Sequence, residues 1–204
     1  MTRLIIVRHG QTEWNRVERF RGRADVPLND IGLRQAQAAA QRIAAAWPAH
    51  AVYHSPLSRT LLTAQAIATA CRAPMSAHPG LIDVDYGAWT GLTPDDVATR
   101  YPEIMHTWRN RPGAVQFPGG ESLAGVGERA VACMESLAAQ HVGQTIVLVS
   151  HVVVCRMLVL AALGLDASHF WRIRQENAAI SVFEWNQGVY TIVAVNDCCH
   201  LAGV

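Results

Sequence analysis

Two short apolar runs, Leu4-Ile5-Ile6-Val7 and Ile146-Val147-Leu148-Val149, constrain this chain more than any other feature, because a histidine stands two residues beyond each, His9 and His151. Continuous Ile/Val/Leu runs suit strands buried on both faces, and ligands of open α/β sheets gather where such strands end. Both imidazoles are therefore expected to face one crevice. The first is embedded in Arg8-His9-Gly10-Gln11-Thr12-Glu13-Trp14-Asn15, which brings a cation, a nucleophile, a flexible glycine and several hydrogen-bond donors together.

The remaining elements follow from periodicity and punctuation. Asn29 or Asp30 can cap a helix that Pro48 closes, and Ala51-Val52-Tyr53 reads as a short strand leading through His54-Ser55-Pro56 into a helix from Ser58 to Cys71. Residues 72–92 read as irregular, Thr93 opens a short helical piece, and the stretch from Arg109 to Gly120 reads as loop. Ser122 opens a long helix with Leu123, Val126, Ala130, Met134 and Leu137 at helical spacing. After His151 comes an apolar helix that Gly164 terminates, then two β-like runs, Ala179 to Trp185 and Val189 to Val195, around Asn186-Gln187-Gly188, which suits a hairpin turn. The expected fold is a three-layer α/β sandwich: a mainly parallel central sheet, helices on both faces, and a small cap from the loops around residues 80–120.

With 204 residues, 50% of them hydrophobic and 16% charged, the chain can bury one core, so a single domain over residues 1–204 is expected. A net charge of +1 offers no field for a polyanion, which argues against nucleic acid as a partner. Apolar stretches fall short of the roughly 20 residues needed to cross a bilayer, and no secretory pattern follows Met1-Thr2-Arg3, so a cytoplasmic protein is expected. Five cysteines without a Cys-x-x-Cys spacing read as reduced thiols. The hydrophobic run Val189 to Val195 is a place where two copies can pair as a homodimer.

The strand ends carry the chemistry. Arg8 and Arg59 suit a phosphoryl group, because planar guanidinium forks match two phosphate oxygens and stay charged. Nearby arginines also disfavour protonation of an imidazole, which keeps His9 neutral and nucleophilic. His151 is placed to donate to the equatorial oxygens, where transition-state charge collects. Read singly, each of these residues is as well explained by structure; their common placement points to a site. A metal hydrolase is the rival chemistry, but His50 and His54 flank a strand, about 13 Å apart at that spacing. No metal or cofactor is expected.

The segment Leu4 to Asn15 resembles the histidine phosphatase superfamily, also called phosphoglycerate mutase-like. The likeness continues through Phe20-Arg21-Gly22, Asp25-Val26-Pro27-Leu28-Asn29, Ser55-Pro56-Leu57-Ser58-Arg59-Thr60, Gly119-Gly120-Glu121-Ser122 and Val149-Ser150-His151. The resemblance implies that His9 becomes transiently phosphorylated, that Arg8, Arg59 and His151 form the phosphate pocket, and that Gln11, Thr12, Asn15 and Gly22 lie where substrate contacts are usual. It places a proton-donating carboxyl four residues before Gly87-Ala88-Trp89-Thr90-Gly91, at Asp83, where the family more often has glutamate; Asp85 is the rival. Val152 stands where the family commonly has glycine.

Mutases of this family carry a longer insertion with extra arginines, so the shorter chain favours hydrolysis of a small phosphate ester. Phe117 to Leu123, Phe170-Trp171, Glu176-Asn177-Ala178 and Cys198-Cys199-His200-Leu201 look similar to metal-independent phosphoserine phosphatases, although Tyr86 stands where those enzymes can have a histidine. Arg109, Arg111 and His200 are candidates for reading a substrate carboxylate. The alternatives are a phosphoglycerate mutase, a ribazole phosphatase of the cobalamin pathway, and a phosphate-binding scaffold without catalysis.

Overall fold

A computed structural model describes residues 1–204. In strands β1 (Thr2–Arg8) and β4 (Thr145–Ser150), the apolar runs are buried throughout and alternate between two cores. Leu4, Ile6, Ile146 and Leu148 belong to the larger core, while Ile5, Val7, Val147 and Val149 belong to the smaller one. The two-residue period of a strand imposes this division. Each buried Val, Leu or Ile is worth about 1.5–3 kcal/mol relative to exposure. Because a one-residue slip would exchange every side chain between the faces, the register is strongly specified.

Helices cover both faces. Helices α2 (Asp30–Ala46) and α3 (Ser58–Cys71) bury Ala39, Ala40, Ile43, Ala64 and Ile67 in the smaller core. Across the sheet, α6 (Leu123–Gln140) and α7 (Val152–Ala162) supply Leu123, Val126, Met134, Val154 and Leu158 to the larger one. Together with β2 (Ala51–His54), β3 (Met75–Ala77), β5 (Ile180–Asn186) and β6 (Val189–Asp197), the strands form a six-stranded sheet in the order β3-β2-β4-β1-β5-β6. The β3–β2, β2–β4 and β4–β1 pairings are parallel, and the β1–β5 and β5–β6 pairings are antiparallel. The sheet is thus mainly parallel, in a three-layer α/β fold. Its free edge at β6 leaves Val189, Val193 and Val195 exposed, on the run where pairing of two copies is expected. No helix is long and apolar enough to cross a membrane.

Four local features depart from the expected elements. Residues 72–92 contain β3, too short to announce itself in sequence, and a four-residue helix, α1 (Glu13–Arg16), follows the first loop. The helical piece begun by Thr93 is two helices, α4 (Pro94–Arg100) and α5 (Pro102–Asn110), so Arg109 is helical rather than in a loop. Pro102 forces the break, since the residue before a proline avoids helical backbone and Tyr101 adopts φ −135° and ψ 56°. In the hairpin, Asn186 pairs with Val189, which leaves only Gln187 and Gly188 in the turn, both at positive φ as a tight hairpin requires.

Candidate active site

Three neighbouring parallel strands, β2, β4 and β1, end on the same side of the sheet, and each end delivers part of one cluster. His9 follows β1, Ser55 follows β2, and His151 follows β4 as the residue preceding α7. Arg59 lies in the first turn of α3. The His9 and His151 ring centroids are 5.3 Å apart, and both side chains are fully buried. The two apolar runs thus bring both imidazoles together as expected, buried rather than lining an open cavity, and the starts of α3 and α7 bring N-terminal helix dipoles toward them, which favours anions.

The orientation of His9 is set by its own loop. Its Nδ1 lies 2.6 Å from the Gly10 carbonyl, so Nδ1 carries the proton and Nε2 the lone pair. That Nε2 is buried and has no hydrogen-bond partner within the protein. Burial holds the His9 pKa well below its ordinary value, and the charges of Arg59, Arg21 and Arg8 reinforce the effect. The result is a neutral imidazole with a free nucleophilic nitrogen. Close packing keeps the loop in place: a Cβ on Gly32, in the first turn of α2, would stand 2.0 Å from the Gln11 carbonyl oxygen.

Arg59 is the hub. Its Nε donates to His151 Nδ1 at 3.2 Å, its Nη1 to the Ala24 carbonyl at 2.8 Å, and its Nη2 to the Gly22 carbonyl at 2.7 Å and to Asp83 Oδ2 at 3.2 Å. Because His151 Nδ1 accepts, its Nε2 bears the proton and donates to Ser55 Oγ at 2.8 Å. Both ring nitrogens of His151 are thus engaged, whereas the sequence alone places this residue as a donor to phosphate. Burial, followed by Arg59 and His9, holds the His151 pKa well below its ordinary value. Arg8 donates from Nη1 to the Gln175 carbonyl at 2.6 Å, and its Nε is buried without a partner.

Asp83 is buried, with Oδ2 3.6 Å from His151 Nδ1 and Oδ1 accepting from the Val84 N–H at 2.9 Å. Burial raises its pKa above the ordinary carboxylate value against the opposing pull of Arg59 and Arg21. Asp85, by contrast, is partly exposed, lies 3.7 Å from Arg23, and accepts from the Gly87 N–H. Arg129 holds the segment leading into Asp83 by donating to the Gly80, Ile82 and Asp83 carbonyls and to Glu121. Of the two aspartates, only Asp83 joins the histidines and Arg59.

Two connected cavities lead outward. A small one of about 100 Å³ is lined by Arg21, Asp83, Tyr86 and Val152. It shares Arg21, Tyr86 and Val152 with an outer one of about 470 Å³ that also reaches Asn15, Trp108, Arg109 and Arg156. Gln11 and Thr12 do not line either. Gln11 accepts from Asn29, and Thr12 is buried with its hydroxyl on Asn15. Gly22 contributes its carbonyl to Arg59. Arg111 lies away from both cavities, beside Glu103 and His106, and His200 Nε2 meets the Ala178 carbonyl. Of the proposed carboxylate readers, only Arg109 borders the outer cavity.

Arg21 and Ser55 were not singled out as site residues from the sequence. Arg21 is nearly fully buried, with Nε unpartnered, beside Asp83 and Arg59. Its signal was an arginine held between Phe20 and Gly22 in an otherwise irregular stretch. Nowhere do three His, Cys, Asp or Glu side chains group as a metal ion would require.

Residues 4–198 match the histidine phosphatase superfamily (branch 1). Phosphoserine phosphatase 1 of Hydrogenobacter thermophilus is 39% identical over 201 residues, which cover 98% of this chain and 95% of that protein. Among solved structures, Bacillus stearothermophilus YhfR superposes with a TM-score of 0.93 at 27% identity, covering 98% of this chain and all of the other. A phosphoserine phosphatase mutant from Entamoeba histolytica in complex with phosphoserine gives a TM-score of 0.87 at 28% identity, with 98% and 100% of the two chains covered. On the match over nearly its whole length, the chain belongs to the histidine phosphatase superfamily.

Proposed function

We propose that this chain hydrolyses small phosphomonoesters by passing the phosphoryl group first to Nε2 of His9 and then to water. Membership of the family, together with 39% identity to a phosphoserine phosphatase over nearly the whole chain, supports a phosphatase. The observation that carries the mechanism is the tautomer of His9: with Nδ1–H held by the Gly10 carbonyl, the buried Nε2 keeps its lone pair and has no competing partner.

In the first step the Nε2 lone pair forms a bond to phosphorus while the bond from phosphorus to the ester oxygen breaks. Asp83, whose raised pKa suits a proton donor, protonates the departing alkoxide. Arg8, Arg21 and Arg59 neutralise the equatorial oxygens. His151 stays neutral throughout, with Nδ1 accepting from Arg59 Nε and Nε2 donating to Ser55 Oγ, and so keeps the Arg59 guanidinium in place for those oxygens. In the second step Asp83 takes a proton from water as the water oxygen attacks phosphorus. The phosphorus–nitrogen bond breaks, releasing inorganic phosphate and restoring His9.

Phosphoserine is the substrate best supported by the relatives. A cytoplasmic setting fits five cysteines that are all unpaired. The test is hydrolysis of an aryl phosphate by wild type and His9→Ala, each with and without a chelator and with the fold checked by circular dichroism. Wild-type turnover that survives the chelator, together with a folded and inactive variant, supports the reading. Equal turnover by the variant contradicts it.

A further inference from the structure

We infer that Arg156 reads a carboxylate on the far end of the substrate, which makes the substrate class phosphomonoesters of small carboxylic acids. The inference rests on the phosphatase reading above and adds the group that sets specificity. Arg156 is the lone charged residue of α7, in the sequence VVVCRMLVLAA. Five residues beyond His151, it borders the outer cavity, which shares Arg21, Tyr86 and Val152 with the small cavity beside Asp83.

Its surroundings are those of a cation held ready for an anion. The guanidinium carbon lies 4.8 Å from the Phe170 ring centroid and 5.1 Å from that of Trp171. Such aromatic contacts stabilise a guanidinium less than a paired carboxylate does when the group is desolvated. The Nε is buried without a hydrogen-bond partner. No carboxylate of the protein lies within ion-pair distance of Arg156, although ten such pairs form elsewhere. A partly buried cation with no counter-ion on the protein is available to an incoming anion, and such unpaired groups bordering a cavity are concentrated where ligands bind. Packing against two rings orients the fork, so two parallel N–H groups can meet two carboxylate oxygens.

The experiment compares phosphoserine with phosphoethanolamine, which differ by the carboxylate and share the ammonium group, and uses an aryl phosphate as the measure of basal phosphatase activity. For wild type, kcat/KM for phosphoserine should exceed that for phosphoethanolamine by about 10-fold to 100-fold, the worth of a charge-assisted bond. In Arg156→Leu, which keeps apolar contact with the rings, that ratio should collapse toward one. Arg156→Lys, which keeps the charge but loses the fork, should restore it in part. A wild-type ratio near one, or a ratio unchanged in Arg156→Leu, overturns the inference while leaving the phosphatase reading intact. Failure of wild type on all three esters removes both.

Discussion

The Nε of Arg59 donates to Nδ1 of His151 at 3.2 Å, so one guanidinium both fixes the tautomer of the second histidine and, through Nη2, holds the carboxylate of Asp83. It also closes on the carbonyls of Gly22 and Ala24, tying the loop after α1 to the start of α3. Lysine carries the charge but has no planar fork. Arg59→Lys should lower kcat/KM by about 10²–10³-fold, in the range of losing a preorganised oxyanion donor. Steady-state kinetics on a variant of unchanged circular dichroism checks this.

The pH dependence follows from two opposite displacements. His9 must be neutral to attack, and burial, with Arg59, Arg21 and Arg8, sets its pKa well below the ordinary 6.5. Activity is therefore lost on the acid side only as pH falls below that region. Asp83 must be protonated to donate, and burial raises its pKa above the ordinary 3.8, so activity declines as pH rises through the raised value. A bell-shaped kcat/KM profile is expected, its acid limb set by the lowered pKa of His9 and its alkaline limb by the raised pKa of Asp83. Asp83→Asn should abolish the alkaline limb and slow alkyl phosphates by about 10²–10⁴-fold, while an aryl phosphate, whose leaving group needs little protonation, suffers less.

The approach of α2 to the His9 loop predicts a stability effect. The added Cβ of Gly32→Ala would stand 2.0 Å from the Gln11 carbonyl oxygen and 2.8 Å from the Gln11 nitrogen, so backbone must move. A loss of about 1–3 kcal/mol is expected, together with reduced turnover because Gln11 belongs to the loop that positions His9. Gly125→Ala, in α6, meets only Ser122 Oγ at 3.5 Å and should instead stabilise by about 0.4–1 kcal/mol. Thermal unfolding of the two variants distinguishes the sites.

How much of this is legible in the sequence depends on range. His9 and His151 can be placed together because a buried parallel strand announces itself by an unbroken apolar run, and the chemistry sits where it ends. Arg59 follows from a helix start just beyond a strand. The pairing of Arg59 with Asp83 is not legible, since 24 residues and an irregular loop separate them and no periodicity carries information across such a loop. Arg21 escapes notice for the same reason. Arg156 leaves a clear trace, a single charge inside an apolar helix, but that helix reads first as core. The edge strand Met75–Ala77 has neither length nor β-branched residues to mark it.

The central claim is that phosphorus becomes bonded to His9 Nε2 during turnover. Wild-type protein mixed with a rapidly cleaved aryl phosphate, quenched within a single turnover at alkaline pH and digested, should yield the peptide containing His9 with one added phosphoryl group, absent from His9→Ala. A quenched wild-type enzyme that turns over substrate yet carries no phosphoryl group, or carries it on any residue other than His9, would contradict the account.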